Sequence, residues 1–166
     1  MRWNFCGRFC TACKGHFLLL AVGSGAVVGF SNYRFDLLDL AKGTFYANEI
    51  SKIRAELVQK VIKEGSIVSV GDGRDINIEV NAILADVPCT GLGALRRRPE
   101  VRWRRTPNDL SVLTKLQYEL ISHAIDLLPI DGIFGYATCS PHMAETRAQC
   151  ATIEKKLPVE KIDVSE

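Results

Sequence analysis

The sequence has no apolar run of the length a bilayer demands. Its longest apolar stretch, residues 17–30 (FLLLAVGSGAVVGF), holds fourteen residues, against the ~20 of a membrane-spanning helix, so no membrane partner is expected. Arg2, Arg8 and Lys14 ahead of it give the outline of a signal peptide, which stays open as an alternative. The preferred reading is a buried strand that enters a glycine turn. Nor do the six cysteines form a disulfide framework: three crowd the first thirteen residues, and Cys89, Cys139 and Cys150 are far apart. That usage points to a reducing, cytoplasmic setting. Net charge is small as well, only +2, but it is unevenly spread.

No metal site is assigned. Cys6, Cys10 and Cys13 have the C-x3-C-x2-C spacing of an iron–sulfur site with one open iron position. Radical enzymes built on that spacing need a barrel on the order of 200 residues, and the downstream chain does not alternate that way. For zinc, His16 is the one nearby candidate for a fourth ligand. Residues 1–16 therefore read as an irregular tail, ahead of one domain over 17–166.

A chain of 166 residues, 47% apolar and 24% charged, suits a single domain with a real core. Strand and helix patterns alternate along it. Strands are expected at Phe17 to Val22, Thr44 to Ala47, Ser66 to Val70, Ala82 to Ala85 and Ile133 to Ala137, with a sixth beginning over Val159 to Val164. Helices are expected at Arg34 to Ala41, at Ser51 to Lys63 (Ile53, Leu57, Val58, Val61 and Ile62 on one side), from a cap at Asn108 or Asp109 through Leu128, and over 142–157. This order predicts an α/β fold with a mostly parallel sheet and helices on both faces. Only a turn or two of helix fits between the third and fourth strands.

Polar residues cluster at the expected strand ends. Gly23, Ser24, Gly25 and Gly29 make a glycine turn of the kind that lets a nucleotide-like cofactor approach the backbone. Glu49 ends the second strand about 20 residues later, where an acidic residue can accept from ribose hydroxyls; heading the next helix is its alternative role. Asp72, in a glycine-flanked turn, is a candidate acceptor for an adenine amino group. The fourth strand delivers Asp86, Pro88 and Cys89 into DVPCTGLGALRRRPEVRW, and the fifth ends at Thr138-Cys139-Ser140, with the two cysteines 50 positions apart. Residues 96–105 hold six Arg and one Glu, a local +5, which marks a phosphate or nucleic-acid contact. His123 and His142 read as surface or capping residues, and Cys150 as a packing residue.

These two cysteine motifs, Pro-Cys-Thr-Gly with RRRPE and RW and then Thr-Cys-Ser, resemble those of the RNA cytosine-C5 methyltransferases of the Nop/Sun family. The resemblance covers Ala47 to Gln149, and the long arginine loop is most similar to the branch acting on bacterial small-subunit (16S) ribosomal RNA. It implies a Rossmann-like class I fold, S-adenosyl-L-methionine as methyl donor and 5-methylcytosine as product. By the same resemblance Cys139 is the nucleophile, Cys89 assists release, and Asp86 holds the pyrimidine edge and borders the donor site with Gly23, Gly25, Glu49 and Asp72. Pro88, Arg96, Arg97, Arg98, Arg102 and Trp103 would contact RNA. The family's cofactor run reads Cys-Ala-x-Pro-Gly-Gly-Lys, whereas this chain has VGSGAVVGFSN. No N-terminal RNA-binding domain is recognised and the sheet is expected to be incomplete at its C-terminal end, so a truncated product and a catalytically impaired RNA-binding remnant are the alternatives.

Overall fold

The computed structural model describes residues 17–21, 44–62 and 64–162. Five strands build one sheet: β1 (Phe17–Ala21), β2 (Phe45–Glu49), β3 (Ile67–Val70), β4 (Ala82–Asp86) and β5 (Ile133–Ala137), in the order β3-β2-β1-β4-β5. Every neighbouring pair is parallel. The order runs outward from β1 to β3, then returns to the other side of β1 for β4 and β5. The reversal makes a switch point between β1 and β4, and in open parallel sheets ligands bind beyond the C-terminal ends of the strands at such a point.

The strands form where apolar runs are bounded by turn residues. Ala82, Ile83, Leu84 and Ala85 of β4 are all buried, as expected of a central strand covered on both sides rather than an alternating one. Ile83, Ala85 and Val87 pack with Ile121 and Ala124 of α3 and Ile153 of α4 in the main core. Here α1 is Lys52–Val61, α2 is Val101–Arg104, α3 is Pro107–Asp126 and α4 is Arg147–Lys156.

Several expectations need correcting. On α1 the buried side is Ala55 and Val58, while Ile53 and Leu57 are exposed, because the helix meets the sheet on its small residues. The N-cap of α3 is Thr106, not Asn108 or Asp109; Pro107 opens the helix, and the Asp109 carboxylate accepts from the Thr106 N–H at 2.7 Å. Residues 159–162 do not form a strand; after α4 ends, Val159 N–H turns back to the Leu157 carbonyl instead. The link from β3 to β4 is a single 3-10 turn, Gly73–Asp75, as its length requires. The expected helix at 34–41 and the last two residues of the expected sixth strand, Asp163 and Val164, lie outside the described residues.

Candidate active site

Register brings the strand ends into line. Glu49 pairs with Ala21 and with Val70, and Asp86 pairs with Ala21 and with Ala137. One row therefore crosses the C-terminal edge of the sheet, with Glu49 and Asp86 on either side of β1. The cysteine loops leave from this row. Val87 N–H donates to the Ala137 carbonyl at 3.1 Å, carrying the ladder one step beyond β4, and Gly93 N–H donates to the Cys139 carbonyl at 2.9 Å. A Cβ on Gly93 would lie 2.5 Å from that oxygen, so the backbones meet this closely only because residue 93 has no side chain.

The two loops bring the sulfur atoms of Cys89 and Cys139 to 3.1 Å. Both thiols are free. The Cys139 thiol donates to Cys89 and is the largest influence lowering the Cys89 pKa, to about 6; the Thr138 side chain and the Gly91 and Cys139 N–H groups add to it, against the opposing effect of burial. Cys139 shifts the other way, held protonated by its bond to Cys89, by burial and by the charges of Cys89 and Asp86. The negative charge of the pair thus sits on Cys89. Burial, then Cys89 and Glu49, push Asp86 up to about 7, so near neutrality it exists in both acid and base forms.

Glu49 is 1% exposed. One carboxylate oxygen, Oε1, accepts from Ser51 N–H at 3.0 Å and Arg54 Nη2 at 2.6 Å, which is the helix-heading role its position allows. The other, Oε2, is buried and has no partner among the described residues, so its desolvation is costly unless a donor meets it. Asp72 caps its turn: Arg74 binds both its oxygens by the side chain and one also by the backbone N–H, and holds its pKa below the usual carboxylate range. Gly23 and Gly25, and the Cys6, Cys10, Cys13 and His16 cluster, lie outside the described residues. Among the described residues no cluster of three or more metal-ligating side chains exists, and no helix there is long and apolar enough to cross a membrane.

In the basic loop Arg96, Arg97 and Arg102 are exposed and Arg98 is half-buried. Trp103, on α2, is 84% exposed. Arg105, at the end of the same run, reaches the cysteine loop: its Nη2 donates to the Cys89 carbonyl at 3.2 Å. Pro88 offers its carbonyl to Gln117 Nε2 at 2.8 Å.

Sequence reasoning missed the polar residues behind the thiols. Glu145, at the end of the 3-10 turn Met143–Glu145, is 0% exposed and accepts from Thr90, next to Cys89. Thr90 in turn bonds Ser140, next to Cys139, at 3.0 Å. The signal was a hydroxyl residue directly after each cysteine; Glu145 itself looked like one more polar residue of an amphipathic helix. His142 and His123 do cap backbone groups: His142 Nδ1 accepts from Ala144 N–H, and His123 Nε2 lies 2.7 Å from the Ile76 carbonyl. Cys150 is half-buried in α4.

A family model described as 16S rRNA methyltransferase RsmB/F matches residues 33–165. A Mycobacterium tuberculosis protein named as a methyltransferase is 53% identical over 94 residues, 55% of this chain and 21% of its own length. The ribosomal RNA small subunit methyltransferase B of Yersinia pseudotuberculosis is 32% identical over 114 residues, 66% of this chain and 26% of its own. The chain thus spans about a fifth to a quarter of the length of these curated relatives. Among solved structures, the one named PH0851 aligns with a TM-score of 0.77 and 26% identity, over 92% of this chain and 35% of that one. NSun6 from Pyrococcus horikoshii, solved with SFG, an S-adenosylmethionine analogue, aligns with a TM-score of 0.65 and 25% identity, over 84% of this chain and 36% of that one.

Proposed function

The chain belongs to the 16S rRNA methyltransferase RsmB/F family, and from that premise we propose that it methylates C5 of a cytosine in small-subunit ribosomal RNA. The observation that carries this reading is the thiol pair, 3.1 Å apart at the ends of adjacent strands.

Cytosine C5 is a poor nucleophile until a thiolate adds to C6. In this reading Cys139 passes its proton to the Cys89 thiolate beside it, its sulfur bonds C6, and the displaced π electron pair raises the density at C5 and at N3 of the ring. Asp86, pushed up to about 7, has a protonated form that can donate to the pyrimidine edge and stabilise that charge. After methylation the C5 proton passes to solvent base, the C5–H electron pair restores the 5,6 double bond, and Cys139 leaves C6 as a thiolate. Cys89, which holds the pair's negative charge at rest, assists that release.

S-adenosylmethionine, when bound, supplies the methyl group. The unpartnered Oε2 of Glu49 fits a ribose hydroxyl; Asp72, Asp86 and the glycine turn at Gly23 and Gly25 complete the residues assigned to holding it. Arg96, Arg97, Arg98 and Arg102 suit the phosphate backbone and Trp103 a stacked base, while a base inside a helix must be unstacked to reach Cys139. The cysteine spacing in the sequence, which is not that of a disulfide framework, is what supports work in the cytoplasm.

The test is incubation of the chain with methyl-labelled S-adenosylmethionine and 16S ribosomal RNA, followed by nucleoside mass spectrometry. The expected product is 5-methylcytidine, with none from Cys139→Ala; full activity of that variant would sink the assignment. One observation favours a second reading, an RNA-binding remnant: VGSGAVVGFSN has neither the Pro nor the Lys of the family's cofactor run. RNA binding with no heat of S-adenosylmethionine binding in calorimetric titration would select the remnant.

A further inference from the structure

We infer that Glu145 is a positioning residue: its buried carboxylate fastens the Cys89 loop to the Cys139 loop and so sets the distance between the two thiols. The inference rests on the reading of Cys89 and Cys139 as the acting pair, but its geometry stands on its own.

Both oxygens of Glu145 are used, and each bond leads to a residue beside a cysteine. Oε1 accepts from Thr90 N–H at 2.8 Å and from Gln117 Nε2 at 3.1 Å. The same Gln117 amide donates to the carbonyl of Pro88, so the residues before and after Cys89 are both tied to this carboxylate. Oε2 accepts from the Thr90 hydroxyl. With its proton committed there, Thr90 Oγ1 can only accept from Ser140 Oγ, 3.0 Å away. Ser140 follows Cys139, and its oxygen in turn accepts from His142 N–H at 3.1 Å. The Tyr136 hydroxyl, on β5, donates its one proton to the Glu145 carbonyl at 2.7 Å and lies 3.2 Å from Gln117 Oε1.

A carboxylate accepts only, and this fixes the direction of the Thr90, Gln117 and Ser140 protons in the bonds that meet at Glu145. Replacement by an apolar side chain would leave Thr90 N–H and one Gln117 donor unsatisfied in a closed interior, which the loops could relieve only by moving apart. Glutamine is different. Its oxygen can keep both bonds of Oε1, while its amide donates to Thr90 Oγ1 and the Thr90 hydroxyl swings to Ser140. The network therefore reverses one link and survives.

Thiol chemistry tests this independently of methyl transfer. Alkylation of Cys89 by iodoacetamide is followed against pH by peptide mass spectrometry, and diamide-driven Cys89–Cys139 disulfide formation is timed, in the full chain and its variants. In Glu145→Ala and Thr90→Val the cross-link is expected to form about tenfold more slowly or worse, with the Cys89 midpoint rising toward the ~8.5 of a free thiol. Glu145→Gln should restore most of both properties. If Glu145→Ala does not fold, Thr90→Val, which keeps the side-chain shape, decides. Wild-type midpoint and cross-linking rate in folded Thr90→Val, or a loss in Glu145→Ala that Glu145→Gln fails to rescue, would overturn the assignment. Because neither readout needs RNA or a methyl donor, a chain with no transferase activity still gives an answer.

Discussion

The sulfur atoms of Cys89 and Cys139 are in hydrogen-bonding contact at 3.1 Å although 50 residues separate them in sequence. Two parallel strands in register, β4 and β5, are what bring them together. At that distance both sulfurs cannot be anionic, so one charge is shared and its location depends on the donors around it. Those donors favour Cys89.

A first prediction concerns that charge. Cys89 should alkylate with a midpoint near 6 rather than at the ~8.5 of a free thiol. The Cys139 thiol is the largest cause of the depression, so Cys139→Ala should move the midpoint upward. An unchanged midpoint in that variant would place the cause elsewhere.

Asp86 gives a pH-dependent stability of the opposite sign. Its folded pKa is raised from 3.8 to about 7, so between these values the native state keeps a proton that the unfolded chain has lost. Stability from this group is full below 3.8, falls as pH rises through about 7 and then levels. Cys89, depressed from 9.0 to about 6, contributes stability that is full above 9.0 and is lost as pH falls through about 6. Asp86→Asn should accordingly stabilise the chain at pH 8 by on the order of 2–4 kcal/mol, and by little at pH 4. Urea denaturation at the two pH values checks the difference.

Gly93→Ala should separate the cysteine loops. The added methyl would meet the Cys139 carbonyl at 2.5 Å, and backbone, unlike a flexible side-chain end, does not yield cheaply. A stability loss of about 1–3 kcal/mol is expected, together with slower diamide cross-linking of Cys89 to Cys139. Retention of both wild-type values would mean that the loops give way easily there.

RNA binding should divide by residue type. Trp103→Ala, at a side chain 84% exposed, is expected to weaken binding by about 1–3 kcal/mol through lost stacking and to leave folding stability unchanged. Alanine at Arg96, Arg97 or Arg102 should instead reduce the salt dependence, by about 0.7 per phosphate contact removed on a single strand. Titration of fluorescent RNA at several salt concentrations separates the two effects.

The parallel strands were legible because their apolar runs end at turn or polar residues, Gly23, Asn48, Gly71, Asp86 and Thr138, and β5 falls on the expected residues, Ile133–Ala137. The cysteine pair was legible too, since both motifs end strands of one sheet edge. The orientation of α1 was legible only in part: Val58 is buried as its place in the helical period suggests, but Ile53 and Leu57, which fit the same period, are exposed and Ala55 is buried in their stead. Glu145 was hidden for a similar reason. Its partners Thr90 and Gln117 lie 55 and 28 residues away, and no local pattern distinguishes a carboxylate that will be buried from one that will be solvated. Arg105 lay within the basic run, but nothing in that run marks it as a residue that reaches the Cys89 carbonyl.

The most direct measurement is a denaturing gel of Cys89→Ala after incubation with S-adenosylmethionine and labelled 16S ribosomal RNA. With Cys139 able to attack and Cys89 unable to assist release, a covalent protein–RNA band is expected, and it should vanish when Cys139 is also replaced by Ala. A Cys89→Ala protein that methylates RNA without accumulating that band would contradict the division of labour between the two thiols. A band that persists without Cys139 would contradict its role as the nucleophile.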